Sequence, residues 1–510
     1  MLFNSYSFIF IFLPVTLFLF YYVAKFSQHW ALIVLLLASL IFYAWHDFSF
    51  VYLLLFSILI NYIISKNLLK TNHILYQKVL LWCGISFNLV LLTFFKYSNF
   101  IIENINAVFY FNLKPLNINF PIGISFFTFT QIAFLVDSYR GLIGNYRLIN
   151  YALFVTYFPH LIAGPIIHHK EVMPQFENKR IFKFSYRYFL LGLIIFTIGL
   201  FKKTVLADYL INFISPIFDE QTSYISLLDA WIGAIAYAFE LYFDFSGYSD
   251  MAIGLSLLVG IKLPINFYSP YCSVNIIEFW RRWNITLSRF LRDYLYIPLG
   301  GNRVSALLHY RNLIITMVIG GIWHGANWTF VIWGSLHAFY LCVNHGWISI
   351  KKYFNLNIDG IFFNIISRII TFFSVVLAWV YFRAPNLTTA NKLIYAMFFN
   401  PVILPDKLPL PNTIRTMLQQ LHITFSEDAS IFTKKVILLF SLSLLIINFF
   451  PNVYQILYRY RPALTGYIQI KMSWIGTWKP TMLWSLFIGI LFVLDILFIQ
   501  SSSAFLYFNF

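Results

Sequence analysis

Apolar residues run along this chain in blocks of about twenty, enough for a helix at 1.5 Å per residue to cross hydrocarbon. The blocks fall at 6–25, 30–45, 50–65, 78–96, 121–137, 183–201, 228–243, 247–261, 312–323, 327–344, 364–382, 435–450 and 479–498. Several are short, so the pattern predicts roughly 11 to 13 membrane-embedded helices, some of them re-entrant. A membrane barrel would instead alternate over segments of about ten residues, and the uninterrupted runs exclude it. The expected fold is an all-α, polytopic integral membrane protein.

The polar positions are not spread evenly. Charged, Gly and Pro positions crowd into the middle of the chain, roughly 120–345, while both ends are plainer apolar helices. The longest polar intervals, 384–434 and 451–478, lie toward the C-terminal end. The first holds Pro401, Pro405, Pro409 and Pro411 and reads as a surface loop with a short helix. No soluble domain stands out, and the two halves do not echo each other as the repeats of a transporter do. The first apolar run lacks a preceding basic residue and a small-residue cleavage site, so it reads as a retained helix rather than a signal peptide.

Composition agrees with the pattern. Charged residues are 11% of the chain, against about a quarter in soluble domains, too few to cover a water-exposed body. Basic positions cluster at Lys66, Lys70 and Lys78, at 168–187 and at 281–311. Basic loops favour the cytoplasm, which puts the N-terminus outside. Lys202 and Lys203 fit that count poorly, so a re-entrant segment is expected between 121 and 203. The net charge of +16 reads as anchoring against anionic lipid or, for the arginine cluster alone, as attraction of a phosphorylated cofactor. Cys83, Cys272 and Cys342 have neither metal nor redox spacing. Neither a metal nor a nucleic-acid partner is expected.

Four polar stretches interrupt the apolar background, where ionisable residues are costly and read as functional candidates. In Gly320-Gly321-Ile322-Trp323-His324-Gly325, His324 sits between two apolar runs, with glycines that permit close approach. It is either a general base, since imidazole titrates near neutrality, or a buried tie between helices; His337 has the same alternatives. Residues 278–294 place apolar positions at helical spacing with arginines on the remaining face, an interfacial amphipathic helix whose arginines bind phosphates or snorkel to lipid head groups. Glu240, Asp244 and Asp250 read as a structural polar network, with the nearby arginines as partners. Tyr157–Pro165 contains Pro159 and Gly164 and reads as a broken helix lining a cavity, with His160 structural. Residues alone therefore leave two readings, an intramembrane enzyme or a transporter or flippase for a polysaccharide precursor.

As an ordered set these stretches, with Met1–Ser5 and the run Tyr296-Ile297-Pro298-Leu299-Gly300-Gly301-Asn302-Arg303, resemble the membrane-bound O-acyltransferase family. The similarity lies in its bacterial branch, which O-acetylates alginate or peptidoglycan, and more distantly in teichoic-acid D-alanylation. It covers nearly all of 1–510 and implies a single catalytic domain around a central funnel or channel. It implies His324 as the catalytic histidine and places the second polar position on Asn284, commonly histidine in the polysaccharide branch. An amide cannot act as a base near pH 7, so Asn284 becomes an orienter of donor or acceptor. The implied reaction moves acetyl from cytoplasmic acetyl-CoA to an extracytoplasmic polysaccharide through a partner acetyltransferase, at the bacterial inner membrane; a lipid, teichoic acid or protein acceptor stays open. Arg281, Arg282, Arg289 and Trp323 are the candidate cofactor contacts. The aromatic end Phe505–Phe510 resembles the tails of such acetylation subunits, making Tyr507 either a transient acyl carrier or part of an interfacial anchor.

Overall fold

The computed structural model describes residues 1–506 except 220–223, 357, 359, 407, 409, 422, 427–433, 467, 475 and 500–504. Among these residues the architecture is helical; the one sheet is a parallel pair, Ile403–Pro405 with Thr424–Ser426, beside the short helix Asn412–Gln420. Five helices are long and apolar enough to cross a membrane: Ser49–Lys70, Ile74–Phe109, Tyr186–Phe218, Ala306–His324 and Ile361–Arg383. Shorter apolar helices are Phe8–Ala24, Gln28–Ala44, Lys435–Phe449 and Met482–Phe498. Two more long helices, Leu227–Leu258 and Trp328–Tyr353, carry buried polar side chains such as Glu240 and His337. Large apolar side chains line the outside, as a lipid-facing surface requires.

The blocks 228–243 and 247–261, expected as separate segments, form the single helix Leu227–Leu258. Its polar Ser246-Gly247 is a packing site rather than a break. Helix Tyr186–Phe201 lies against it through glycines seven residues apart on each side. A Cβ on Gly199 would come within 2.7 Å of the Gly247 carbonyl oxygen, and one on Gly254 within 2.6 Å of that of Gly192. Small residues permit such close backbone approach between membrane helices.

That contact also explains two charges. Lys202 and Lys203 follow Gly199 by one turn and enter the protein instead of marking a loop. Lys202 Nζ lies 2.6 Å from Asp250 Oδ2, and Lys203 Nζ lies 2.7 Å from Asp244 and 2.8 Å from Asp208. The partners of these acids are thus lysines, not the arginines expected, because the glycine seam sets the lysine-bearing turn beside them. A broken helix does occur in the expected interval: Leu148–Thr156 stops at Tyr157, and Phe158–Leu161 resumes after it. His160 Nε2 lies 3.0 Å from the Phe154 carbonyl oxygen across the break, a structural role.

Residues 278–294 are not one amphipathic helix. They form Ile276–Arg282 and Ile285–Leu291, then a π-helical turn, Arg292–Tyr296. Asn284 sits between them in the left-handed region, with φ 40°, a conformation asparagine tolerates better than most residues. The segment Asn266–Tyr268 enters the break: the Ile285 N–H donates to the Asn266 carbonyl at 3.0 Å and the Tyr268 N–H to the Arg282 carbonyl at 2.9 Å.

Candidate active site

His324 is the last residue of helix Ala306–His324, and Asn327 caps the next helix, Trp328–Tyr353, through the Thr329 N–H. Glycine makes this hairpin tight. A Cβ on Gly334 would meet the Met317 carbonyl oxygen at 2.6 Å, and one on Gly325 would lie 2.0 Å from the Phe330 ring. The turn therefore holds His324 buried against Trp323, Trp333 and Phe382, with ring centroids at 4.9, 4.9 and 5.1 Å.

A helix end leaves carbonyls without intrahelical donors, and here two side chains from another helix supply them. Lys96 Nζ donates to the Trp323 carbonyl at 2.7 Å and the His324 carbonyl at 2.9 Å, while the Tyr97 hydroxyl donates to the Ile322 carbonyl at 2.8 Å. A cation at this helix terminus also complements its dipole. Sequence reasoning missed Lys96. Its signal was a single lysine closing the apolar block 78–96.

Two cavities flank this hairpin. One, of about 750 Å³, lies at the His324 end and is lined by Lys96, Glu240, Gly325, Asn327, Arg383 and Leu506, among others. Arg383 pairs there with Asp219. Glu240 Oε2 and Thr329 Oγ1 on its wall are buried and have no hydrogen-bond partner among the described residues. The second, of about 440 Å³, is lined by Trp280, Arg281, Arg289, Arg292, Tyr296 and Met317, among others. Met317 precedes His324 by seven residues, about 10 Å along the helix axis, so the two cavities open at different heights of the same helix.

The structure sorts the sequence candidates. Arg281 and Arg289 line the smaller cavity; Arg282 does not, and pairs with Glu278 in its own helix. Arg289 is engaged as well, donating from Nη2 to Glu171 Oε2 at 2.9 Å, while Arg281 makes no ion pair among the described residues. Trp323 stacks on Phe129 at 4.9 Å, with its indole N–H unpartnered among those residues. Asn284 is buried, and a run of ring contacts leads from its neighbour to His324: Trp283 packs on Trp379 at 5.0 Å, Trp379 on Trp333 at 5.7 Å, and Trp333 on His324 at 4.9 Å. His337 lies in the same aromatic group, fully buried.

The C-terminal residues reach this region from the far end of the chain. Phe505 stacks on Tyr248 at 4.4 Å, and the Leu506 N–H donates to Asp244 Oδ2 at 3.1 Å, which brings Leu506 to the wall of the larger cavity. Tyr507 lies outside the described residues.

Comparison with known proteins gives the family. The sequence model of MBOAT, the membrane-bound O-acyltransferase family, matches residues 64–383. The chain is 41% identical to the peptidoglycan O-acetyltransferase of Helicobacter pylori, over 100% of this chain and 98% of that protein. It is 43% identical to the probable alginate O-acetylase AlgI of Pseudomonas putida, over 78% of this chain and 80% of that one. The teichoic acid D-alanyltransferase of Streptococcus thermophilus is 30% identical over 46% of this chain and 59% of its own length.

Proposed function

This chain belongs to the membrane-bound O-acyltransferase family and is a multi-pass membrane enzyme; we propose that its whole length is one catalytic domain of the bacterial inner membrane, which passes acetyl from cytoplasmic acetyl-CoA to an extracytoplasmic polysaccharide. Peptidoglycan and an alginate-like polymer are the acceptors that the relatives' names support. One observation carries the reading. The helix that ends in His324 borders a cavity with three arginines on its wall through Met317, and Gly325, next after His324, lies on the wall of a second cavity together with Leu506.

The arginine-lined cavity suits a phosphorylated donor, because guanidinium groups hold phosphate oxygens with charge-assisted bonds. Its wall also includes Trp280, Leu313 and Met317, apolar surface for the arm that carries the acyl group. Acetyl-CoA supplies an already activated thioester, so the protein's tasks are positioning, one proton transfer and shelter of developing oxyanion charge. His324 takes the proton from the attacking hydroxyl and returns it to the departing sulfur. The indole N–H of Trp323 and the amide of Asn284 are donors for the carbonyl oxygen. Glu240 and Thr329 offer unpartnered polar atoms to an acceptor hydroxyl in the larger cavity.

Leu506 on that cavity wall supports a role for the residue after it. Tyr507 receives the acetyl group on its phenolic oxygen and yields it to an extracytoplasmic partner acetyltransferase, which selects the polysaccharide.

The test is transfer from radiolabelled acetyl-CoA by membranes bearing wild type, His324→Ala or Tyr507→Phe, with label read on the protein and on polysaccharide when the partner is added. Transfer by wild type, lost in His324→Ala at equal protein level, is expected. No transfer by wild type with its partner would overturn the reading. Undiminished polysaccharide acetylation by Tyr507→Phe would end the carrier role alone.

A further inference from the structure

Asp137, His168 and His169 bring one ligand atom each to within 4.8 Å of one another, and we propose that they form, with Tyr294, a binding site for a divalent first-row transition metal of the zinc type. The residues come from three segments. Asp137 ends helix Ile124–Tyr139, His168 and His169 begin helix His169–Phe176, and Tyr294 lies on the π turn after the arginine helices. Three donors converge on one carboxylate oxygen. His168 Nε2 is 2.9 Å, His169 Nδ1 3.2 Å and the Tyr294 hydroxyl 2.7 Å from Asp137 Oδ2, and Tyr294 is 3.2 Å from His168 Nε2.

Tetrahedral bonds of 2.0–2.1 Å place ligand atoms about 3.3 Å apart. The observed edges are at or slightly below that spacing, so an ion needs only a small outward movement of the side chains. Arg140 stands 3.8 Å from Asp137 Oδ1, which leaves Oδ2 for the metal. Two imidazoles with a carboxylate and a phenol select zinc and its neighbours over magnesium or calcium, which prefer all-oxygen sites.

The ring protons set the terms of entry. His169 Nδ1 carries the proton it donates to Asp137 Oδ2, and Nε2 of that ring is buried with no partner among the described residues, so metal on Nδ1 moves the proton to Nε2 without breaking a bond there. His168 Nδ1 accepts the Lys170 N–H at 3.3 Å, which puts the proton on Nε2. Metal on Nε2 moves that proton to Nδ1 and opens this long bond. The His168 side chain is 24% exposed and gives the path in.

The ion would tie the arginine helices to the catalytic histidine. Tyr294 packs on Phe290 at 5.0 Å, Phe290 on Phe129 at 4.1 Å, and Phe129 on Trp323 at 4.9 Å. Fixing Tyr294 therefore fixes the floor beneath Trp323 and the helix that bears Arg289.

The experiment uses full-length protein in detergent, free of any polyhistidine tag, incubated with zinc, desalted and assayed by mass spectrometry for metal per chain. Wild type should keep close to one zinc, and His168→Ala/His169→Ala roughly tenfold less; zinc should raise the melting temperature of wild type only. Should the double variant fail to fold, His169→Gln serves in its place with the same expectation. Folded wild type that holds no more zinc, manganese, iron, cobalt or nickel than the variant would overturn the proposal, as would a melting temperature indifferent to all five.

Discussion

The two cavities beside the histidine hairpin are built on opposite plans. The arginine-lined one draws much of its wall from a short stretch, residues 277–296, whose apolar positions pack inward while its arginines reach carboxylates or remain exposed. The cavity beside Gly325 assembles Lys96, Glu240, Gly325, Arg383 and Leu506 from five distant parts of the chain. Behind its wall lies a buried charge cluster, in which Lys203 pairs with Asp208 and Asp244. The first can lose one charge and keep its shape. In the second, one lost partner strands another inside an apolar medium. Substitutions should therefore act on donor binding at the first cavity and on chemistry or folding at the second.

The sharpest separation comes from His324→Ala, which should lower acyl transfer by about 10³-fold, within the range for a positioned base, at unchanged membrane protein level; residual transfer above a tenth of wild type would remove His324 from the chemistry. Next in size is the buried ion pair. Lys203→Met strands Asp208 and Asp244 and should cost about 3–5 kcal/mol, read as early thermal inactivation in detergent. Lys203→Met combined with Asp244→Asn should recover part of that loss, and no recovery would refute the pairing as its cause. Lys96→Met leaves the Trp323 and His324 carbonyls without their donor, about 1–3 kcal/mol each by the usual cost of an unpaired buried group. Lys96→Arg keeps the charge and should retain more activity than Lys96→Met. The smallest effect belongs to Arg281→Ala: an exposed charge is worth about 0.2–1 kcal/mol, so the donor KM should rise only a few-fold, fading with added salt. A large fall in kcat for this variant would erase the contrast between the cavities.

Much of this molecule was already written in its one-dimensional pattern. Apolar blocks of membrane-spanning length determined an all-α membrane protein, since in hydrocarbon each backbone group must be satisfied within its own helix. Pro159 and Gly164 marked a broken helix. The glycines around His324 marked a place of close approach, and the ordered motifs marked the family. Those features depend on neighbours in sequence. What pairs across the molecule was decided only in three dimensions. Lys202 and Lys203 fitted the loop-charge count poorly, and the glycine seam between Tyr186–Phe201 and Leu227–Leu258 shows why by setting them against acids. The helix expected over 278–294 breaks at Asn284 because Asn266 and Tyr268, nearly twenty residues upstream, compete for its backbone. Lys96 holds carbonyls 227 and 228 residues away, and Asp137 meets His168, His169 and Tyr294. A charge in an apolar medium must find a partner wherever the fold brings one, and no local pattern encodes where that is.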